Sequence, residues 1–219
     1  ARGSARGQPV WRGIDQGAAS MNSPPTTLRR RLRLKISLER FRPTIWRRVE
    51  VDDGLSFEEF HRVIQVAMGW RDAHQHEFLV AGLRIAMPLD SGGMVDDDEP
   101  AVPEDTATLF PWLSGRSGPK RFRYWYDFGD DWWHSISIER RLPFDPAAPR
   151  AVLISGKGAC PPEDCGGVSG YAELLATWSD PAAADYARIR EWLGDDFDPN
   201  AFDLAAHSRR VGQLFARRD

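Results

Sequence analysis

The sequence predicts an α+β domain: an antiparallel or mixed sheet of about five strands, helices packed on one side, and a helical C-terminal part. Three observations lead there. Apolar residues alternate with polar ones over much of the first half. The strongest β signal is a hairpin centred on Gly129, and helical spacing takes over from Tyr171 onward. With 42% apolar and 28% charged residues, the 219-residue chain can build a real core under a soluble surface.

Residues 1–27 are rich in Gly, Ala, Ser, Arg and Pro and lack periodicity. They read as a disordered leader, an expression-derived segment or sequence upstream of a start at Met21, leaving 28–219 as a single domain. Leu32, Leu34, Ile36 and Leu38 alternate with Arg31, Arg33, Lys35 and Ser37, which predicts a strand with one greasy and one basic face. Arg42-Pro43 makes a break, and Ile45 to Val51 predicts a second strand.

Ser56-Phe57-Glu58-Glu59 is a capping box: Ser56 can accept from the N–H three residues on while Glu59 reaches back. Phe60, Val63, Ile64, Ala67 and Met68 follow at helical spacing, and Gly69 is placed to end the helix. His76 to Val80 and Leu83 to Met87 predict short strands, and an acidic loop follows at 90–105. Arg121 to Tyr126 and Trp132 to Arg140 predict the hairpin, turning through Asp127-Phe128-Gly129-Asp130-Asp131. Pro143 to Gly170 reads as largely loop. Helices are expected at Tyr171 to Trp178, at Pro181 to Leu193 with Asp180 as N-cap, and at about Asp203 to Ala216.

A net charge of −3 gives no global pull toward nucleic acid or anionic lipid. The average hides two blocks: nine Arg or Lys against two Glu between Leu28 and Glu50, and seven acids with no base between Asp90 and Asp105. Solvated faces account for both; a basic strip touching phosphates is the alternative. Two cysteines are too few for a secreted disulfide framework, and no signal-like or membrane-spanning run occurs, so a cytoplasmic protein without membrane contact is expected.

The combined motifs resemble one family. They are Pro43-Thr44-Ile45-Trp46-Arg47-Arg48, Ile64 to Trp70 with His74-Gln75-His76-Glu77-Phe78, Tyr126 to Trp132 with His134, Cys160 to Gly167 with Gly170-Tyr171, and Trp192 to Pro199. In this order, over roughly 28–205, the chain is similar to the plasmid pRiA4b ORF-3-like family. That resemblance implies an α+β domain without a settled activity, often labelled a passenger of transposons and plasmids. Trp133 stands where an acid is common in the family, and Cys165 where a small apolar residue is common, which weakens any mechanism needing both thiols.

His74, His76, Phe78 and Val80 share one strand face, as do His134, Ile136 and Ile138, so three imidazoles could converge on a divalent ion such as zinc. Buried, hydrogen-bonded histidines explain the same pattern. Asp127, Asp130, Asp131, Glu163 and Asp164 could bind a cation or act as acid and base, but turns favour Asp for local backbone bonds and acids also hold arginines, Arg47 and Arg48 among them. Cys160 and Cys165 flank Pro-Pro-Glu-Asp at a spacing looser than a metal knuckle, in a stiff loop suited to pinning the next helix against the hairpin. By alternation Phe122, Tyr124, Tyr126 and Phe128 share one face and Trp125 takes the other, either as core or as a platform for bases. The Asp127-Phe128-Gly129 triplet has no kinase context.

The expected function is a non-enzymatic binding domain. Its groove is formed by Asp127, Asp130, Trp132, His134, Glu163 and Asp164, and it takes a protein, peptide or nucleic-acid partner. One alternative is a metal-dependent hydrolase using His74, His76 and His134 with an acid from Asp127, Asp130 or Glu163. The other is an accessory DNA-binding protein working through the basic first strand. No cofactor is required; a divalent metal such as zinc would draw on His74, His76, His134, Cys160 and Cys165.

Overall fold

In a computed structural model the described residues are 29–87, 101–115 and 118–216. The expected leader at 1–27 and the acidic stretch at 90–100 lie outside them. The chain runs β1 (Arg30–Leu38), β2 (Trp46–Asp52), α1 (Phe57–Met68), β3 (His76–Val80), β4 (Leu83–Ala86), β5 (Val102–Pro103) and the single turn α2 (Leu109–Trp112). Then come β6 (Arg121–Tyr126), β7 (Trp132–Pro143), β8 (Ala151–Lys157), α3 (Gly167–Trp178), α4 (Tyr186–Leu193) and α5 (Leu204–Gln213).

The strands form one mixed sheet in the order β5-β4-β3-β6-β7-β1-β2-β8, antiparallel except between β4 and β5. Among the described residues eight strands replace the expected five or so. β5 is two residues long at the end of the acidic loop, too short to show a period. β8 lies inside the stretch read as loop. Its run Ala151 to Lys157 is bounded by prolines and glycines, and only its pairing along β2 gives it strand character.

One face of the sheet carries the core. Leu32, Leu34, Ile36 and Leu38 of β1 join Phe78, Phe122, Tyr124, Trp132 and Ile136 in one buried cluster, completed by α1 and by Tyr171, Leu174, Ile189 and Val211 of the C-terminal helices. The helices therefore cover a single side of the sheet. The other side keeps the polar half of each alternation. Its arginines are engaged internally: Arg29 with Asp52, Arg33 with Glu50 at 2.6 Å, and Arg48 with Glu139 at 2.7 Å. Arg31 donates to the Pro149 carbonyl at 2.8 Å, and the Lys35 ammonium lies over the Trp46 ring. Arg29, Arg31, Arg33 and Lys35 are thus all engaged within the sheet, Arg29 and Arg33 by carboxylates.

Two helix ends show how local sequence sets the frame. Ser56 accepts from the Glu59 N–H and the Glu59 side chain accepts from Ser56, closing the box, and Gly69 ends α1 at φ 111°. Arg47 does not pair with the turn acids. It is buried on the core face and donates to the carbonyls of Ala67, Trp46, Lys157 and Gly158 at 2.8–3.0 Å. Its guanidinium also lies 3.8 Å from the centre of the Phe202 ring. Arg47 thereby ties the end of α1 to the β2–β8 edge. α4 begins later than expected because Asp180 and Pro181 form a turn, with the Ala182 N–H on the Asp180 carboxylate, before the helix starts at Tyr186.

Phe128 also departs from simple alternation. Asp127 takes φ 54°, which swings Phe128 out of the core face and onto Trp125 at 4.4 Å. Trp125 in turn stacks on Trp133 at 4.7 Å, across the sheet from the core.

Candidate functional site

Three segments meet at one end of the hairpin: the 127–131 turn, the 160–167 loop, and the 70–75 loop that leads from α1 into β3. The turn is held by Asp127, whose Oδ1 accepts from the N–H groups of Gly129 and Asp130 at 3.0 and 3.2 Å. This is the local backbone role that turns ask of Asp. Asp131 accepts from Trp133 Nε1 at 2.6 Å and from Arg40 at 2.9 Å. Asp130 reaches the second segment, accepting from the Gly166 N–H at 3.1 Å.

The approach between turn and loop is tight. A side chain at Gly167, which sits at φ +68°, would meet the Asp130 carbonyl at 2.3 Å. α3 can therefore start against the hairpin only because position 167 has no Cβ. Trp70 Nε1 donates to the Pro161 carbonyl at 3.0 Å, and Glu163 Oε1 accepts from the Arg71 N–H at 2.9 Å and the Tyr126 hydroxyl at 3.0 Å. Burial, and then the neighbouring Glu163 carboxylate, push the Tyr126 phenol well up, so it stays a hydrogen-bond donor at any physiological pH.

His74 projects into this junction. Its Nε2 lies 3.2 Å from Asp164, 3.6 Å from Asp127 and 4.0 Å from Glu163 Oε2. His74 Nε2 and Glu163 Oε2 are both buried atoms without an aligned hydrogen bond. One ligand atom each from His74, Asp127 and Asp164 falls within 4.8 Å of the others, a spacing a cation could bridge.

Outside this junction two clefts converge. One of about 290 Å³ runs beside Trp70, Arg71, Pro161 and Glu163; the other, about 450 Å³, runs between α3 and α4 beside Glu173, Asp185 and Arg188. Asp164 and Trp192 line both. Trp192 is 47% exposed and the Asp164 side chain 76% exposed, so an indole face and a carboxylate stand in solvent where the clefts join.

Several sequence-predicted site residues lie elsewhere. Trp132 and His134 are fully buried in the core rather than lining the groove. His74, His76 and His134 do not converge on one ion: in the sheet His76 faces Tyr126 and His134 faces Tyr124, two registers apart, and the Tyr124 ring packs against both, 5.9 Å from His76 and 5.4 Å from His134. His134 packs edge-on against Trp70, neither ring nitrogen finds an aligned partner, and burial lowers its pKa to about 3 despite partial relief from the backbone of Trp132 and Tyr124.

Cys160 and Cys165 are free thiols. Burial pushes Cys165 up to about 12 and Cys160 further, so as free thiols both stay protonated at neutral pH.

The residues that sequence reasoning missed are His61, Asp72 and Glu104. They join His76 on the far side of the 70–75 loop, where the His61 and His76 rings stack at 3.4 Å. The available signal was a histidine on the apolar stripe of α1, one residue after Phe60 and three before Ile64.

Similarity to known proteins agrees with the architecture. A family model described as "Plasmid pRiA4b ORF-3-like protein" matches residues 30–206. "Uncharacterized protein y4hQ" of Sinorhizobium fredii (strain NBRC 101917 / NGR234) is 35% identical over 187 residues, which is 85% of this chain and 93% of that one. A crystal structure of "Protein of Unknown Function MM3350" from Methanosarcina mazei Go1 superposes with a TM-score of 0.70 at 35% identity, covering 80% of this chain and 96% of that one. On the strength of a match that takes in every strand of the sheet and most of the helical part, the chain belongs to the pRiA4b ORF-3-like family.

Proposed function

We propose that the protein is a binding domain whose groove receives a cationic side chain, arginine or lysine, from a polypeptide partner. The observation that carries this reading is the meeting of two clefts at Asp164 and Trp192. A carboxylate can pair with a guanidinium or ammonium, and the adjacent indole face can stack on it. Glu163 and Glu173 add negative charge along the same walls, against Arg71 and an Arg188 that is paired with Asp185 at 3.2 Å, and this net negative balance disfavours phosphates and so argues against a nucleic-acid occupant.

The test is fluorescence anisotropy with labelled oligo-arginine, oligo-lysine and oligo-glutamate peptides. Basic peptides are expected to bind, and Asp164→Asn and Trp192→Ala to weaken them by about tenfold, roughly 1.4 kcal/mol, with unchanged circular dichroism. Equal affinity for all three peptides, or binding indifferent to both variants, contradicts the proposal.

A second reading, a metal-dependent hydrolase, draws on His74 Nε2 and its three carboxylates at 3.2–4.0 Å. His74, Asp127 and Asp164 would hold the ion, with Glu163 beside them as the general base. Mn²⁺ titration followed by electron paramagnetic resonance tests it. Stoichiometric uptake lost in Asp164→Asn supports it, and no uptake removes it.

A further inference from the structure

We propose that a cavity between the β1–β2 turn and the C-terminal end of α3 binds a small monocarboxylic acid with a compact apolar tail, at a site separate from the groove and from the His74 cluster. The cavity holds about 220 Å³, and four segments wall it: the 41–45 turn, the end of β8, the last turn of α3 with its cap, and the 199–200 loop. Drug-sized sites begin at about 300 Å³, so the occupant is a smaller molecule.

The wall is divided in chemistry. Phe41, Pro43, Ile45, Leu175 and Pro199 make it apolar, and Arg42 and Lys157, both exposed, are its charged residues. Among the described residues no carboxylate lines the cavity. Arg42 spends Nη1 on the Phe41 carbonyl and the Thr44 hydroxyl, each at 3.0 Å, and neither it nor Lys157 meets a carboxylate among the described residues. The acids next to the wall in sequence turn to the backbone instead. Asp180 Oδ1 accepts from the Ala182 N–H at 2.9 Å, and Asp198 Oδ1 from the Asn200 N–H at 2.8 Å. In a chain of net charge −3, two cations without counterions stand beside an apolar space. A carboxylate with its tail in that space complements both.

The space is built before any ligand arrives. The Leu38 N–H donates to the Ile45 carbonyl at 2.9 Å, Arg47 to the Gly158 carbonyl at 3.0 Å, and the Ala159 N–H to the Pro199 carbonyl at 3.0 Å. Gly158 sits at φ +82°, and a Cβ there would press on Ile45 Cγ1 at 3.0 Å, so glycine lets β8 end close against the 41–45 turn.

A helix C-terminus ordinarily disfavours an anion, and here its carbonyls are engaged. The Leu175 carbonyl accepts from the Ser179 N–H and hydroxyl at 3.1 and 2.8 Å, and the Thr177 carbonyl from the Asp180 N–H at 3.1 Å. These bonds blunt the negative end of α3 where it meets the cavity.

The experiment titrates the full chain with hexanoate, octanoate and phenylpropanoate, with octylamine and octanol as controls, read by calorimetry and ¹⁵N-resolved NMR. At least one acid is expected to bind one equivalent, to shift the Thr44 and Gly158 amides, and to exceed both controls by about tenfold in affinity. Arg42→Gln with Lys157→Gln, at two exposed positions, should weaken the acid by about tenfold and leave octanol unchanged, with Lys157→Gln alone giving a smaller loss. Basic-peptide binding in the groove should be the same in all three proteins. The proposal is overturned if no acid binds saturably, if octylamine or octanol matches the acids, if the folded double variant keeps its affinity, or if the shifts gather away from Thr44 and Gly158.

Discussion

His134 is a polar ring at the centre of the core with its pKa held near 3. In the unfolded chain the same ring titrates at about 6.5. Between these values the unfolded state binds more protons, so stability is complete above about pH 6.5 and falls as pH drops toward 3, by roughly 4 to 5 kcal/mol from this residue. Replacing His134 with Leu should flatten the urea-unfolding stability across that pH window while leaving neutral-pH stability within about 1.5 kcal/mol. Arg47 poses the opposite case, a buried cation satisfied by four carbonyls. Lysine keeps the charge but lacks the planar fork, so Arg47→Lys is expected to cost about 3 kcal/mol in chemical denaturation.

At the scale of elements, the junctions that position the groove depend on few atoms. Loss of the capping hydroxyl in Ser56→Ala should destabilise by about 1 kcal/mol. Gly167→Ala is a harsher change, since the new methyl would meet the Asp130 carbonyl and the residue sits at positive φ. It is expected to lower Tm and weaken basic-peptide binding together. Gly212→Ala, in α5 with open space around it, serves as the matched control and should be neutral or slightly stabilising.

These elements also show what the sequence made legible. The β1 alternation, the capping box and the hairpin each carry a local signal, because period and cap chemistry act within a few residues. β8 does not, because its pairing with β2 spans about a hundred residues of chain. Nor does local spacing show that His61 faces His76, or that Asp130 meets Gly166. The adjacency of turn and loop is a tertiary fact, and the sequence offered only the residue types that make such a junction worthwhile.

On the scale of the whole molecule, one sheet with helices on a single side leaves two surfaces of different character. The open sheet face binds its arginines to its own acids, while the far end of the hairpin gathers carboxylates around His74 with few counterions. That contrast supports the proposal that a partner docks at the hairpin end. Among the described residues no helix is long and apolar enough to cross a membrane. A ¹⁵N-resolved NMR titration of the full chain with an arginine-containing peptide addresses the central claim most directly. The account requires the Trp192 indole and the 160–167 amides to shift together and saturably, with the Trp125 and Trp133 indoles unmoved; shifts confined to Trp125 and Trp133, or none at all, would contradict it.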